Sequence, residues 1–395
     1  MIPEHTTQPD FDAVIDRRSQ RATKWLEVEQ LATSGSEKVI PLWIADMEFT
    51  SPQPVLAAIR DALDHGVLGY SEWPADFAQV FCQWQASRHQ WSINPEWLLS
   101  CQSVITALDV IIRAYSEPDD EVIVLSPGFG TFNRVINHTG RNVVEVPLVE
   151  NGLQYQLDVA LIEAKLTPRS RMLILCNPHN PIGKVWKVEE LTQIAELCQR
   201  HGLLLISDDV HQELILGNTR YTPVAALDER YADFTITFTS PCKTFNLSGL
   251  PVAQLVVKNT EIREKLRHEL YQLSVHQPDI LAIAACDAAY RHGEKWLEAL
   301  LPYLRENYAL LDNALQPMRS VSLFKLEGTY LAWLDFRNSG LNPSELEHKL
   351  LNEAGVKLNN GLKFSAAGAG FMRLNFALPR AELVKVIERL QRCFI

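Results

Sequence analysis

The 395-residue sequence has no apolar run approaching the roughly 20 residues that a membrane-spanning helix needs; runs such as Leu203 to Ile206 and Leu281 to Cys286 stop well short. No membrane association is expected. Clustered positive charge is missing too: Lys and Arg total 37 against 48 for Asp and Glu, a formal net charge of -11, which argues against nucleic acid as a partner. The opening residues, Met1 to Phe11, carry Glu4, His5 and Asp10 and lack the apolar stretch of a secretion signal. Cysteine is scarce and unpatterned. Cys82, Cys101, Cys176, Cys198, Cys242, Cys286 and Cys393 form an odd set of 7 with no CxxC pair and no Cys/His ligand spacing. That argues against a disulfide framework and a zinc site, and leaves reduced thiols in a cytoplasmic protein as the expectation.

What is present is enough apolar material, 47% of the residues, to fill a sizeable core. Glu121 to Leu125, Val143 to Val146, Met172 to Cys176, Leu203 to Ser207, Phe234 to Phe238 and Val252 to Val257 read as strands. Several are apolar at successive positions, which suits strands buried on both faces of a mostly parallel sheet. Helical spacing runs through Val188 to Arg200 and Glu261 to Leu273, and through Asp279 to Leu315 with a break near Gly293. After that the pattern changes to strand (Thr329 to Asp335), helix (Pro343 to Ala354), Gly-rich loop, strand (Phe371 to Phe376) and helix (Arg380 to Cys393). The expectation is an α/β domain followed by a smaller α+β domain.

Ligands of mostly parallel sheets collect at the carboxyl ends of strands, and chemistry-bearing residues cluster there. Lys243 follows the strand Phe234 to Phe238; alone it reads as a solvated charge. Asp208 ends the apolar strand Leu203 to Ser207, where a charged acid needs a cation or several donors. A protonated pyridine nitrogen would supply that cation; an ordinary loop or N-cap Asp is the competing account. Asn180 sits in the doubled Asn-Pro loop Asn177 to Gly183 and could offer its amide to a phenolate oxygen. Ser103 is a fair N-cap for a helix whose first free N–H groups, at Val104 and Ile105, would form an anion site, and the Ser240 hydroxyl could reach the same phosphate. A capped core helix without a ligand explains the Ser103 pattern equally. Arg373, on an apolar strand, calls for an anion: either a substrate α-carboxylate or an internal salt bridge.

Several segments in order carry a resemblance: Trp43-Ile-Ala-Asp-Met-Glu-Phe49, Gly69-Tyr70, Cys176-Asn-Pro-His-Asn-Pro-Ile-Gly183, Ser207-Asp-Asp-Val-His211, Ser240-Pro-Cys-Lys-Thr-Phe-Asn246, Glu327-Gly-Thr-Tyr330 and Arg373-Leu-Asn-Phe-Ala377. From about Pro41 to Arg380 the chain resembles the fold-type I, class I/II aminotransferase superfamily, and within it the MalY/PatB type of pyridoxal-phosphate (PLP) carbon–sulfur lyase, the cystathionine β-lyases. The resemblance implies that Lys243 holds PLP covalently, Asp208 pairs with its pyridine nitrogen, and Asn180 and His211 lie against its ring. It also implies that Phe129 stacks on that ring, in the catalytic set with Lys243 and Asp208. Ser103, Val104, Ile105 and Ser240 would hold the phosphate, and Arg373, Asn180 and Ala45 would bind the substrate. Tyr70 would reach the phosphate of a neighbouring subunit, so a homodimer with shared sites is implied. So is a division into a large domain, residues 51–290, and a small one made of residues 1–50 and 291–395.

The departures from the family pattern are Phe129 where relatives often have Tyr, Ser103 for Gly, Cys242 for Ser and Ile182 for Thr. His211 in place of Tyr, and Pro251 in place of a phosphate-binding Arg, favour the lyase branch. The expected reaction is cleavage of cystathionine or a related cysteine S-conjugate to a thiol, pyruvate and ammonia. An aminotransferase would use the same residues. A PLP-binding effector domain lacks support, since the preceding residues show no helix-turn-helix pattern.

Overall fold

The computed structural model describes residues 8–31 and 39–394; the charged opening residues 1–7 lie outside the described residues. Seven strands form the main sheet: β1 (Leu98–Cys101), β2 (Glu121–Ser126), β3 (Asn142–Pro147), β4 (Ser170–Cys176), β5 (Leu204–Asp208), β6 (Thr235–Thr239) and β7 (Ala253–Val256). Their order is β1-β7-β6-β5-β4-β2-β3. Neighbours pair in parallel from β3 to β6, and β7 runs antiparallel to both β6 and β1.

The run of successive apolar residues has the cause expected of a doubly covered sheet. Val122 and Val124 on β2, with Met172 and Ile174 on β4, enter one core cluster. Ile123, Leu125, Leu173 and Leu175 alternate with them and enter another cluster on the opposite face. Because successive side chains point to opposite faces, both sets must be apolar once helices cover each side. Helix α1 (Phe77–His89) joins a third cluster, and α2 (Val104–Tyr115) covers the face that holds Val122. A single turn, α3 (Pro241–Thr244), follows β6, and Gly293 separates α4 (Ile280–His292) from α5 (Glu294–Leu315), at the expected break.

A four-stranded antiparallel sheet, β8 (Ser322–Leu323), β9 (Leu331–Asp335), β10 (Asn359–Asn360) and β11 (Phe371–Asn375), has the order β8-β9-β11-β10. Residues near the start of the chain close on this part: Ile40–Pro41 pair in parallel with Val356–Lys357, and Phe11, Leu42, Met47 and Phe49 share a core with Leu331, Leu374 and Leu383. The helix expected over 343–354 is regular only over Pro343–His348; a π turn, Lys349–Glu353, completes it.

Candidate active site

The carboxyl ends of β4, β5 and β6 lie side by side, and register puts Asp208 beside Cys176 on one strand and Phe238 on the other. Asp208 is buried, and the hydrogen bond its carboxylate accepts among the described residues is a long one from the Val210 amide, 3.4 Å. Burial pushes its carboxyl up to about 6, against which the Val210 amide and Lys243 pull only weakly.

Lys243 projects from α3, a turn too short to hold itself, since a single turn fixes several dihedrals for one hydrogen bond. Ser240 caps that turn, accepting from the Cys242 amide at 3.2 Å and donating to the Val252 carbonyl at 2.7 Å. The Ser240 proton thus lies on the Val252 carbonyl. The half-buried Lys243 amine donates to the Ala45 carbonyl at 2.9 Å, and the Tyr330 hydroxyl donates to the same oxygen at 3.0 Å. Burial lowers the Lys243 pKa, partly offset by Cys242, Asp46 and Asp208.

Arg373 on β11 answers the question that its sequence context leaves open. Among the described residues its guanidinium meets neutral groups: it donates to Asn180 Oδ1 at 2.9 Å and to the Trp43 carbonyl at 2.7 Å, and lies 4.9 Å from the Phe364 ring centroid. Its Nε is buried without a partner, and burial pulls its pKa down to about 10. Asn180 spends its carbonyl on Arg373, which leaves Nδ2 to donate elsewhere. His211 packs edge-on against Tyr330, 5.9 Å between centroids, with Nδ1 buried and unpartnered; burial holds its pKa well below the ordinary histidine value.

Segment 43–49 is fixed by side chains from three places. Asn246 accepts from the Met47 amide and donates to the Met47 and Phe49 carbonyls, Asn375 donates to the Ile44 and Asp46 carbonyls, and Lys24 and Arg17 pair with Asp46 and Glu48. Asn246 and Asn375 fall within the quoted motifs, but nothing local signals what they hold. Phe364 and the Lys24 pairs carry no sequence signal at all.

Around this centre, Ser103 is the N-cap of α2, accepting from the Thr106 amide at 3.0 Å, with the half-buried Val104 and Ile105 in the first turn. Phe129 precedes the helix after β2 and packs edge-on against Phe132 at 5.3 Å. Tyr70 stands apart, fully exposed, with exposed Val67 and Leu68 beside it.

This arrangement of a strand-end carboxylate, a lysine on a capped turn and a buried arginine from a second sheet sits in a chain whose residues 37–390 match the family described as aminotransferase class I and II; the chain belongs to that family. Cystathionine β-lyase PatB of Bacillus subtilis (strain 168) is 34% identical over 384 residues, covering 97% of this chain and 99% of that one. Cystalysin from Treponema denticola, whose crystal structure contains a pyridoxal 5'-phosphate cofactor, superposes with a TM-score of 0.94 at 30% identity, covering 98% of this chain and 99% of that one. The PLP-bound C-S lyase from Staphylococcus hominis gives a TM-score of 0.91 at 26% identity and 99% coverage of both. The fold is therefore fold-type I, as the sequence leads one to expect.

Proposed function

We propose that the chain is a PLP-dependent carbon–sulfur β-lyase that splits cystathionine or a related cysteine S-conjugate into a thiol, pyruvate and ammonia. The observation that carries this is Asp208, a buried carboxylate with no ion-pair partner among the described residues, near enough to the Lys243 amine for their charges to interact. PLP fits what is left over: its protonated ring nitrogen would answer Asp208, its aldehyde Lys243, its ring oxygen Asn180 Nδ2, and its phosphate the first turn of α2. When bound, PLP supplies a sink for the electron pair left at the substrate's α carbon.

The protein's own groups do the rest. Arg373, held by Asn180 and the Trp43 carbonyl, presents its unpaired Nε toward an α-carboxylate. The Lys243 amine, its proton affinity lowered by burial, takes the α proton. Departure of a thiolate from the β carbon and hydrolysis then give pyruvate and ammonia. Phe129 would cover one face of the ring, with His211 nearby. Arg373 of the small sheet reaches Asn180 at the end of the main one, in keeping with a large domain over 51–290 and a small one from 1–50 and 291–395. The exposed Tyr70 supports a homodimer in which it completes the partner's site, and seven free thiols among the described residues suit a cytoplasmic setting.

The test is purified enzyme with cystathionine and no keto-acid acceptor. Pyruvate and ammonia should accumulate over many turnovers. Lys243→Ala should lower kcat by about 1000-fold, and Arg373→Ala should raise KM by roughly 30-fold through loss of a charge-assisted pair. Conversion of one equivalent of cofactor to its amine form, with no pyruvate, would overturn the lyase reading in favour of an aminotransferase.

A further inference from the structure

We propose that Glu213 and Thr244 are positioning residues for the Lys243 amine, a buried brace tying the turn that carries Lys243 to the strand exit that carries Asp208 and to helix α1. The proposal rests on the reading of Lys243 as the cofactor-bearing, proton-moving group.

Glu213 lies just beyond His211 in the segment leaving β5 and is 5% exposed, in a position where an ion survives only if its oxygens are satisfied. They are satisfied from three separate stretches of chain. Oε1 accepts from Trp84 Nε1 and Gln212 Nε2, both at 2.9 Å, with His89 Nε2 at 3.4 Å. Oε2 accepts from the Thr244 hydroxyl at 2.7 Å. Burial pushes the Glu213 pKa up, but the His89, Trp84 and Thr244 donors outweigh it and hold the carboxyl below its ordinary value.

A second arm starts at Asp209, which accepts from Ser207 at 2.6 Å and from the Tyr221 hydroxyl at 2.5 Å. The Tyr221 ring meets His89 edge-on at 4.8 Å, which brings this arm back to Glu213. The neighbours of Asp208 and Lys243 are thereby linked through buried polar contacts that touch neither functional side chain directly.

Position explains why this bears on chemistry as well as on stability. Turn α3 is pinned by side chains at both ends, Ser240 at its start and Thr244 at its close, and Lys243 stands between them. A lysine that must reach a cofactor aldehyde and later a proton on a particular carbon depends on where its backbone is held; small misplacements cost about 100-fold in rate. The brace also fixes which carbon the amine faces when it returns the proton, and hence the ratio of elimination to amine-form cofactor.

The test compares Thr244→Val, which keeps the shape and removes the hydroxyl, with Thr244→Ser, which keeps the hydroxyl. Cofactor-free proteins are mixed with PLP, and the rate at which the cofactor becomes covalently held, trapped by borohydride, is read beside kcat, KM and the number of pyruvates released per cofactor lost to the amine form. We expect Thr244→Val to slow covalent uptake and lower kcat by about 10-fold with KM within about twofold, and to lose more cofactor per pyruvate; Thr244→Ser should restore most of each. Glu213→Gln, the second variant, should move the same readouts in the same direction, so either protein, if folded, decides. Asn342→Ala, which removes the cap of the helix Pro343–His348, serves as a control for general destabilisation. Unchanged uptake, kcat and partition in both brace variants overturns the proposal, as does an equal response in Asn342→Ala. If wild-type enzyme releases no pyruvate but brace variants still take up PLP slowly, the lyase reading fails while the brace stands.

Discussion

Asp208, buried and without an ion-pair partner among the described residues, has a measurable consequence in cofactor-free protein. Its carboxyl titrates at about 6 when folded, against 3.8 for the ordinary group, because burial disfavours the anion. Between about pH 4 and 6 the folded chain keeps a proton that the unfolded chain has released. The stabilising contribution is therefore full below about pH 4 and is lost as pH rises through the folded value. Comparing urea unfolding of cofactor-free wild type and Asp208→Asn at pH 5 and 7.5, we expect the wild type to lose on the order of 1 kcal/mol more than the variant over that rise, since about one pH unit separates pH 5 from the folded value. PLP should abolish most of the difference by giving the carboxylate its cation. Parallel pH slopes in the two cofactor-free proteins would show that Asp208 carries no such strain.

At the scale of elements, strand ends and helix starts place nearly everything in the site, and the cap of α2 is the simplest to remove. Ser103 accepts from the Thr106 amide and shares a contact with the Thr106 hydroxyl at 2.8 Å. Ser103→Ala should cost about 1 kcal/mol of stability and weaken PLP retention, because the first turn that would face the phosphate then frays. Equilibrium denaturation and a cofactor-release assay under dilution check this. A variant with wild-type stability and retention would mean that α2 starts equally well without its cap. The same scale shows what hid helix α1 from a reading of periodicity. Its buried face includes Gln85 and His89 beside Phe77, Phe81 and Trp84, so polar residues interrupt the apolar stripe. Strand β1, four residues with alternating burial at the sheet edge, offered equally little pattern.

For the whole molecule, the exposed surface around Tyr70 is the place to test for a second copy of the chain. Val67 and Leu68 are 65% and 61% exposed, and Tyr271 and Leu273, near the same cleft, are 60% and 54% exposed. Apolar surface left open in this way is usually covered by another molecule. If a second copy covers it and Tyr70 serves that copy's phosphate, Tyr70→Phe and Lys243→Ala proteins, each nearly inactive, should regain activity when mixed. One of the two sites in a mixed dimer then has both groups intact, so recovery approaching one quarter of wild type per total subunit is the ceiling for random exchange, by simple counting of about half mixed dimers with one good site each. Demonstrated exchange with no recovery would remove the shared site.

The sequence by itself determined the doubly covered sheet, through successive apolar residues that feed two cores, and the break between α4 and α5 at Gly293. It also put forward Lys243, Asp208, Asn180 and Arg373 as candidates, the first three from strand-end positions and a Pro-rich turn and the last as a charge on an apolar strand, all of them local patterns. Tertiary structure alone decided that Arg373 faces Asn180 and the Trp43 carbonyl and, among the described residues, no acidic partner, and that the Ser240 proton lies on the Val252 carbonyl. It alone brought Glu213 to Thr244, Trp84 and His89. These pairings join residues from 12 to more than 300 positions apart, and hydrogen-bond partners at such distances are chosen by how the sheets and helices pack, which no local pattern of residues records.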